Sequence, residues 1–297
     1  MPSATQWPVI TDYARVERKK VMIQQLKSMY LETKHSKPAS LSDKDLNRLG
    51  IKLLPLDLKQ PAHTGPTFFA PLSEREAPSF SWDIDDLDNA FTDPEGSDHS
   101  TVIGQDVSIY IASASHTFDR VKPDSVHTAW MDFIALKCYR EDPSIPLCEY
   151  RNLGANHDFL VNDQIEASSL EYPHCKFQII QDAEPQEPLR RSELIPILVI
   201  MRWRMGLWMY QPHEIFPVQV ISLFGATGRI LLAHFDGKQL CIRKSQFYTL
   251  DGKENAKNFE LFARWRISDA VGDTEVQLPV NIKPQQVPAI RRVTRVK

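Results

Sequence analysis

The chain of 297 residues carries a formal charge of −3, with 25% charged and 42% apolar residues. These values suit a globular chain long enough to bury a core, and they give no overall pull toward nucleic acid or a membrane surface. The apolar run Ile195 to Met201 contains Pro196 and is far too short to span a bilayer. Met1 to Ile10 shows neither the basic stretch nor the apolar block of a secretory leader. Cys138, Cys148, Cys175 and Cys241 are scattered and form no CxxC pair, which implies reduced thiols in a cytoplasmic or nuclear protein.

In chain order, residues 12 to 34 read as a helix. Val16, Ile23, Leu26 and Tyr30 form one stripe, and Thr11 is the expected N-cap. A short helix over 41 to 49 follows, with a capping box at Ser40 and Asp43 and a stop at Gly50. These make an N-terminal helical segment, 1–54. Residues 55–100 are rich in proline, which precludes long helices and central strands. From 56 to 100, ten acids face only Lys59 and Arg75, a local charge of −8. An acidic linker, disordered in part, is expected there.

The main domain is expected over 101–284, with a loose basic tail over 285–297. Val102 to Ile111 reads as a strand, 125 to 140 as a helix, and 158 to 162 and 176 to 181 as strands. Residues 192 to 210 are apolar on most sides and read as a buried helix, with a strand at 195 to 201 as the competing reading. A helix over 254 to 267 and a last strand over 275 to 281 complete the reading.

The clearest signal lies between these last helices. Phe216 to Phe224, Arg229 to Phe235 and Gln239 to Lys244 alternate with the turn sequences Gly225-Ala-Thr-Gly228 and Asp236-Gly237. They predict a three-stranded antiparallel meander. A two-residue Asp236-Gly237 turn pairs Ala233 with Leu240, and a four-residue Gly225–Gly228 turn pairs Ile221 with Leu232. Both faces are then apolar, so both should be covered by helices, which gives an α+β fold.

Polar residues interrupt this sheet in two places. Gln219, His234 and Gln239 align across the strands and form a candidate site for a small polar ligand. Arg229 and Lys244, at the other end and on the other face, are candidates to hold an anion. The structural alternatives are a solvated sheet rim and a solvated ladder end. No nucleotide-binding, zinc or nucleophile motif is found, so no catalytic residue, metal or cofactor is expected. Cys138, Cys148, His157, His174 and Cys175 are metal ligands by residue type only, because their spacing is wrong for a tight site. In the acidic segment, Trp82, Ile84, Leu87 and Phe91 punctuate a run of aspartates, with the last three at helical spacing. Segments of that kind fold onto a partner's groove, so these four are candidate contacts for a protein partner. Residues 189 to 250 carry a local charge of +5 and offer an alternative dock within the chain.

The predicted order helix, three strands, helix, strand over 192 to 281 resembles the αβββαβ core of restriction-endonuclease-like nucleases. That likeness implies an Asp near the end of the second strand, where Asp236 falls, and a (D/E)xK on the third. Leu240-Cys-Ile-Arg-Lys244 has no acid, so the likeness implies a degenerate nuclease at most. Over roughly 190 to 273 the stretch Phe216 to Leu240, with Arg243-Lys-Ser-Gln-Phe-Tyr248 and Phe262-Ala-Arg-Trp265, resembles a group of uncharacterised proteins of filamentous fungi. The resemblance implies a fungal source and an accessory or enzymatic role in a secondary-metabolite pathway, and it assigns no site residue. The leading expectation is a non-catalytic binding or accessory protein that works through protein contacts.

Overall fold

The computed structural model describes residues 12–75, 100–121, 128–132 and 159–281. The fold is α+β. Five α-helices are described: α1 (Tyr13–His35), α2 (Asp43–Leu49), α3 (Ser100–Val121), α4 (Arg191–Gly206) and α5 (Ala256–Arg266). The strands are β1 (Ile51–Pro55), β2 (Phe69–Ala70), β3 (Trp130–Asp132), β4 (Phe159–Ala167), β5 (Cys175–Gln181), β6 (Val218–Phe224), β7 (Thr227–Phe235), β8 (Leu240–Lys244), β9 (Tyr248–Thr249) and β10 (Asp269–Ala270). Among these residues no helix is long and apolar enough to cross a membrane.

The expected meander exists as β6–β7–β8, but it is the middle of a larger mixed sheet. The order is β1-β8-β7-β6-β5-β4-β3, with β9 added to β7, while β2 and β10 pair separately. β1 joins β8 and β5 joins β6, both in parallel, so the meander has no free edge. One face carries Val218, Val220, Leu231, Ala233, Leu240 and Ile242 and is covered by α4, with α1 packed outside it. The other carries Ile221, Leu223, Ile230 and Leu232 and is covered by α3 and α5.

The register differs from the expected one by two residues at each turn. Ala233 pairs with Ile242, and Ile221 with Ile230. The first loop is only Gly225-Ala226, and Gly225 alone has a positive φ, 57°, as in a Gly-X hairpin loop. The second spans four residues because Asp236 acts as an Asx cap. Its Oδ1 accepts the N–H groups of Lys238 and Gln239, both at 2.8 Å. A shift of two leaves every side chain on its expected face.

Several expected elements are corrected. Val102 to Ile111 lies in helix α3, because Ile103, Val107 and Ile111 recur at every fourth residue and pack on the sheet. Trp130–Asp132, expected within a helix, is edge strand β3 against β4, and most of 125–140 lies outside the described residues. Residues 275–281 form no strand. Leu278 N–H donates to Glu214 instead (2.9 Å). The helix caps move by one or two residues: Asp12 caps α1, and Ser42 with Asp45 forms the capping box of α2 before the left-handed Gly50. The strands at 159–167 and 175–181 and helices α4 and α5 lie where expected.

Residues 51–75 are integrated into the same core. β1 lies in the sheet, and Leu56, Leu58, Phe69 and Leu72 are buried, so this part of the expected linker is packed. Its acidic stretch from 76 to 99 lies outside the described residues, as does the basic tail from 282 onward.

Candidate functional site

Gln219 sits on β6 under the C-terminus of α5. Its Nε2 donates to the carbonyl of Trp265 (2.8 Å), and its Oε1 accepts from the Ser268 hydroxyl (3.1 Å). Both ends of the amide thus satisfy the end of a helix, whose last carbonyls otherwise lack partners. With the corrected register Gln219 faces Leu232 across the ladder, and His234 lies diagonal to it. His234 is buried against Phe68, with ring centroids 5.0 Å apart. Burial lowers its pKa to about 4, with Arg243 adding to the effect and Asp236 opposing it. Gln239 belongs to the four-residue loop, where its backbone exchanges hydrogen bonds with Asp236. The three do not form an open polar row.

Arg229 and Lys244 share a face but are not directly opposed. Arg229 faces Ser222 on one side, and Lys244 faces Leu231. Arg229 is wholly buried and makes a two-pronged contact with Glu193, itself wholly buried on α4. It also donates to the carbonyls of Gln186, Glu187 and Pro188. Glu193 accepts the N–H of Arg190 as well (2.9 Å), closing the N-terminus of α4. Lys244 pairs with the Glu187 carboxylate at 2.9 Å. The anions these cations could hold are therefore Glu193 and Glu187 of the same chain. Arg229 is not at a solvated ladder end either, which corrects both sequence-based readings.

Asp236 serves its own turn. Desolvation pushes its carboxyl up, but the N–H groups of Gln239 and Lys238 outweigh this and hold it below its usual range. Among the described residues, no three His, Cys, Asp or Glu side chains group as a metal site would require. His174 and Cys175 are buried, while Cys138, Cys148 and His157 lie outside the described residues. So do Trp82, Ile84, Leu87 and Phe91.

The order helix, three strands, helix, strand stands at its expected place as α4, β6, β7, β8, α5 and β10, with the two-residue β9 inserted before α5 and β10 paired with β2 outside the main sheet. Upstream of it, among the described residues, β3–β4–β5 are antiparallel and β6 is parallel to β5. A polar cluster absent from the sequence-based candidates lies here. Asp163 sits at a bulge in β4 with a positive φ of 47°. Its carboxylate takes two hydrogen bonds from Arg266 (2.5 and 2.7 Å) and one from Gln178 (2.6 Å). Lys176, also on β5, is wholly enclosed. It donates to the carbonyls of Arg266 and Ser268 and lies 3.5 Å from the centroid of the Trp130 ring. Burial, the largest cause, drives its pKa well below the usual lysine value, with Arg266 adding to the effect. Nothing in the local sequence marks Asp163, since its partners lie 15 and 103 residues away.

A surface groove of about 750 Å³ runs between α1 and α2, with Gln24, Met29, Asn47, Leu49 and Phe235 among its walls. None of the five ligand candidates lines it. No protein-family model matches the chain, and neither the curated proteins nor the solved structures contain a significant match.

Proposed function

We propose that the chain is a non-catalytic binding or accessory protein that acts inside the cell through protein contacts. The observation that carries this reading is that four of its buried arginines are spent on carboxylates of the same chain. Arg229 with Glu193, Arg266 with Asp163, Arg204 with Glu166 and Arg18 with Glu214 all join separate elements. A catalytic or ligand-binding polar group needs a free valence toward its substrate, and these groups use theirs to fasten one segment of the fold to another. The buried thiols of Cys175 and Cys241 suit a reducing compartment.

A second reading is a degenerate restriction-endonuclease-like nuclease, supported by the order α4, β6, β7, β8, α5 alone. Its third strand, Leu240 to Lys244, has no metal-binding carboxylate, and Asp236 at the end of its second strand accepts the amides of its own turn. Both readings give a protein that binds without cutting. The role in a metabolite pathway rests on the fungal resemblance, and metabolite profiling of a deletion strain tests it.

The acidic apolar segment is the proposed partner contact. Affinity capture of the full chain, compared with a Trp82→Ala/Leu87→Ala/Phe91→Ala variant, tests it. A partner retained by the first and lost by the second is expected. Identical partners for both would remove that segment from the account.

A further inference from the structure

After β1, residues 56–75 run back over the face of the sheet that carries Gln219 and His234. The Trp265 indole donates to the Leu58 carbonyl (3.2 Å), Arg243 donates to the carbonyls of Pro61 and Pro66, and β2 pairs with β10. The Val271 N–H then donates to the Phe68 carbonyl (3.0 Å), tying residues 267–280 into the same strap. Two histidines lie beneath it. His174 is wholly buried among Phe68, Phe69 and Tyr172. Its Nε2 lies 3.1 Å from the Val271 carbonyl, which can only accept, so that nitrogen carries the proton. Its Nδ1 is buried without a hydrogen-bond partner. The charged groups facing the ring are Lys176 and Arg204, both cationic, with the titratable His213 and Tyr172 beside them. A second proton would create an N–H with no acceptor beside two cations. His234 supports Phe68 from the other side, between Asp236 and Arg243. A third histidine, His213, holds the Thr274 hydroxyl of the strap (2.7 Å) and faces Glu275, Lys19 and Arg15.

We propose that the strap of residues 56–75 and 267–280 is an acid-released cover, latched onto the sheet by neutral His174 and His234. Burial, the largest cause at both sites, holds His174 at about 3 and His234 at about 4, against an ordinary 6.5. In the open form each ring returns to the ordinary value, so the open form binds more protons. Closure is at full strength above the ordinary value and weakens as pH falls toward the two depressed ones. Each histidine raises the opening constant about tenfold per pH unit in that window. Release lifts Phe69 and the Ser268 carbonyl, both of the strap, off the Lys176 side chain, and so presents a basic group beside the Trp130 ring under acidic conditions.

Hydrogen exchange read by mass spectrometry on the full chain, corrected for intrinsic exchange rates, tests this. Between about pH 6 and about pH 5, peptides from 58–72 and 267–280 are expected to lose protection about 100-fold, while α4 and β6 keep theirs. A His174→Gln/His234→Phe variant keeps a donor for Val271 and removes both titrations, leaving only His213, so its strap should lose at most about tenfold in protection over the same interval. Should that variant fail to fold, His234→Phe alone is expected to reduce the slope to about tenfold per unit. Equal strap protection across the range overturns the proposal. So does loss that runs in parallel in α4, or a wild-type slope in either variant.

Discussion

Arg229 and Gln219 were visible in the sequence as polar residues in apolar strands, and the structure explains why each is tolerated there. Their partners, Glu193 and the end of α5, lie 36 and 46 residues away, beyond what any local pattern conveys. A buried pair broken on one side leaves an uncompensated charge. Arg229→Met should therefore lower stability by about 3 to 5 kcal/mol, whereas Arg229→Met with Glu193→Leu should recover most of that. The double variant still loses the Glu193 cap on α4, a cost of about 1 kcal/mol. Urea denaturation of the three proteins measures this, and a double variant no more stable than the single one would contradict the pairing. Gln219→Ala should cost about 1 to 3 kcal/mol, because the Trp265 carbonyl and the Ser268 hydroxyl stay buried without their partner. A residue held open for a ligand would show little loss in the same measurement.

Among the elements, the meander, α4 and α5 were legible because their periodicity and turn residues agree. Their register was not, since Asp236 can either begin a two-residue turn or cap a longer one, and only the Lys238 and Gln239 amides decide. Helix α3 was misread because Val102, Ile103, Val107, Ile109 and Ile111 are β-branched and favour strands in isolation. Tertiary packing overrides that preference. Gly104 brings the helix close to β5, where an added Cβ would stand 2.9 Å from the Ile180 Cγ2 atom. Gly104→Leu, although it improves helix propensity, should destabilise the fold by about 1 to 3 kcal/mol. A lowered Tm is the expected readout. An unchanged or raised Tm would mean that α3 does not seat against Ile180.

Across the whole molecule, the parallel pairings β1–β8 and β5–β6 bring segments from both ends of the described chain into one sheet. Parallel partners need long connections, so their pairing leaves no short-range trace, and β1 was hidden at the end of a segment read as helical. The order α4-β6-β7-β8-α5 stands where the sequence placed it, with Asp236 capping its own turn and no carboxylate on β8. The central proposal is that the protein is non-catalytic, and a cleavage assay on plasmid DNA and single-stranded RNA with added Mg²⁺ or Mn²⁺ tests its nuclease alternative most directly. The account predicts intact nucleic acid with both metals. Metal-dependent cleavage that disappears in an Asp236→Ala variant would contradict it.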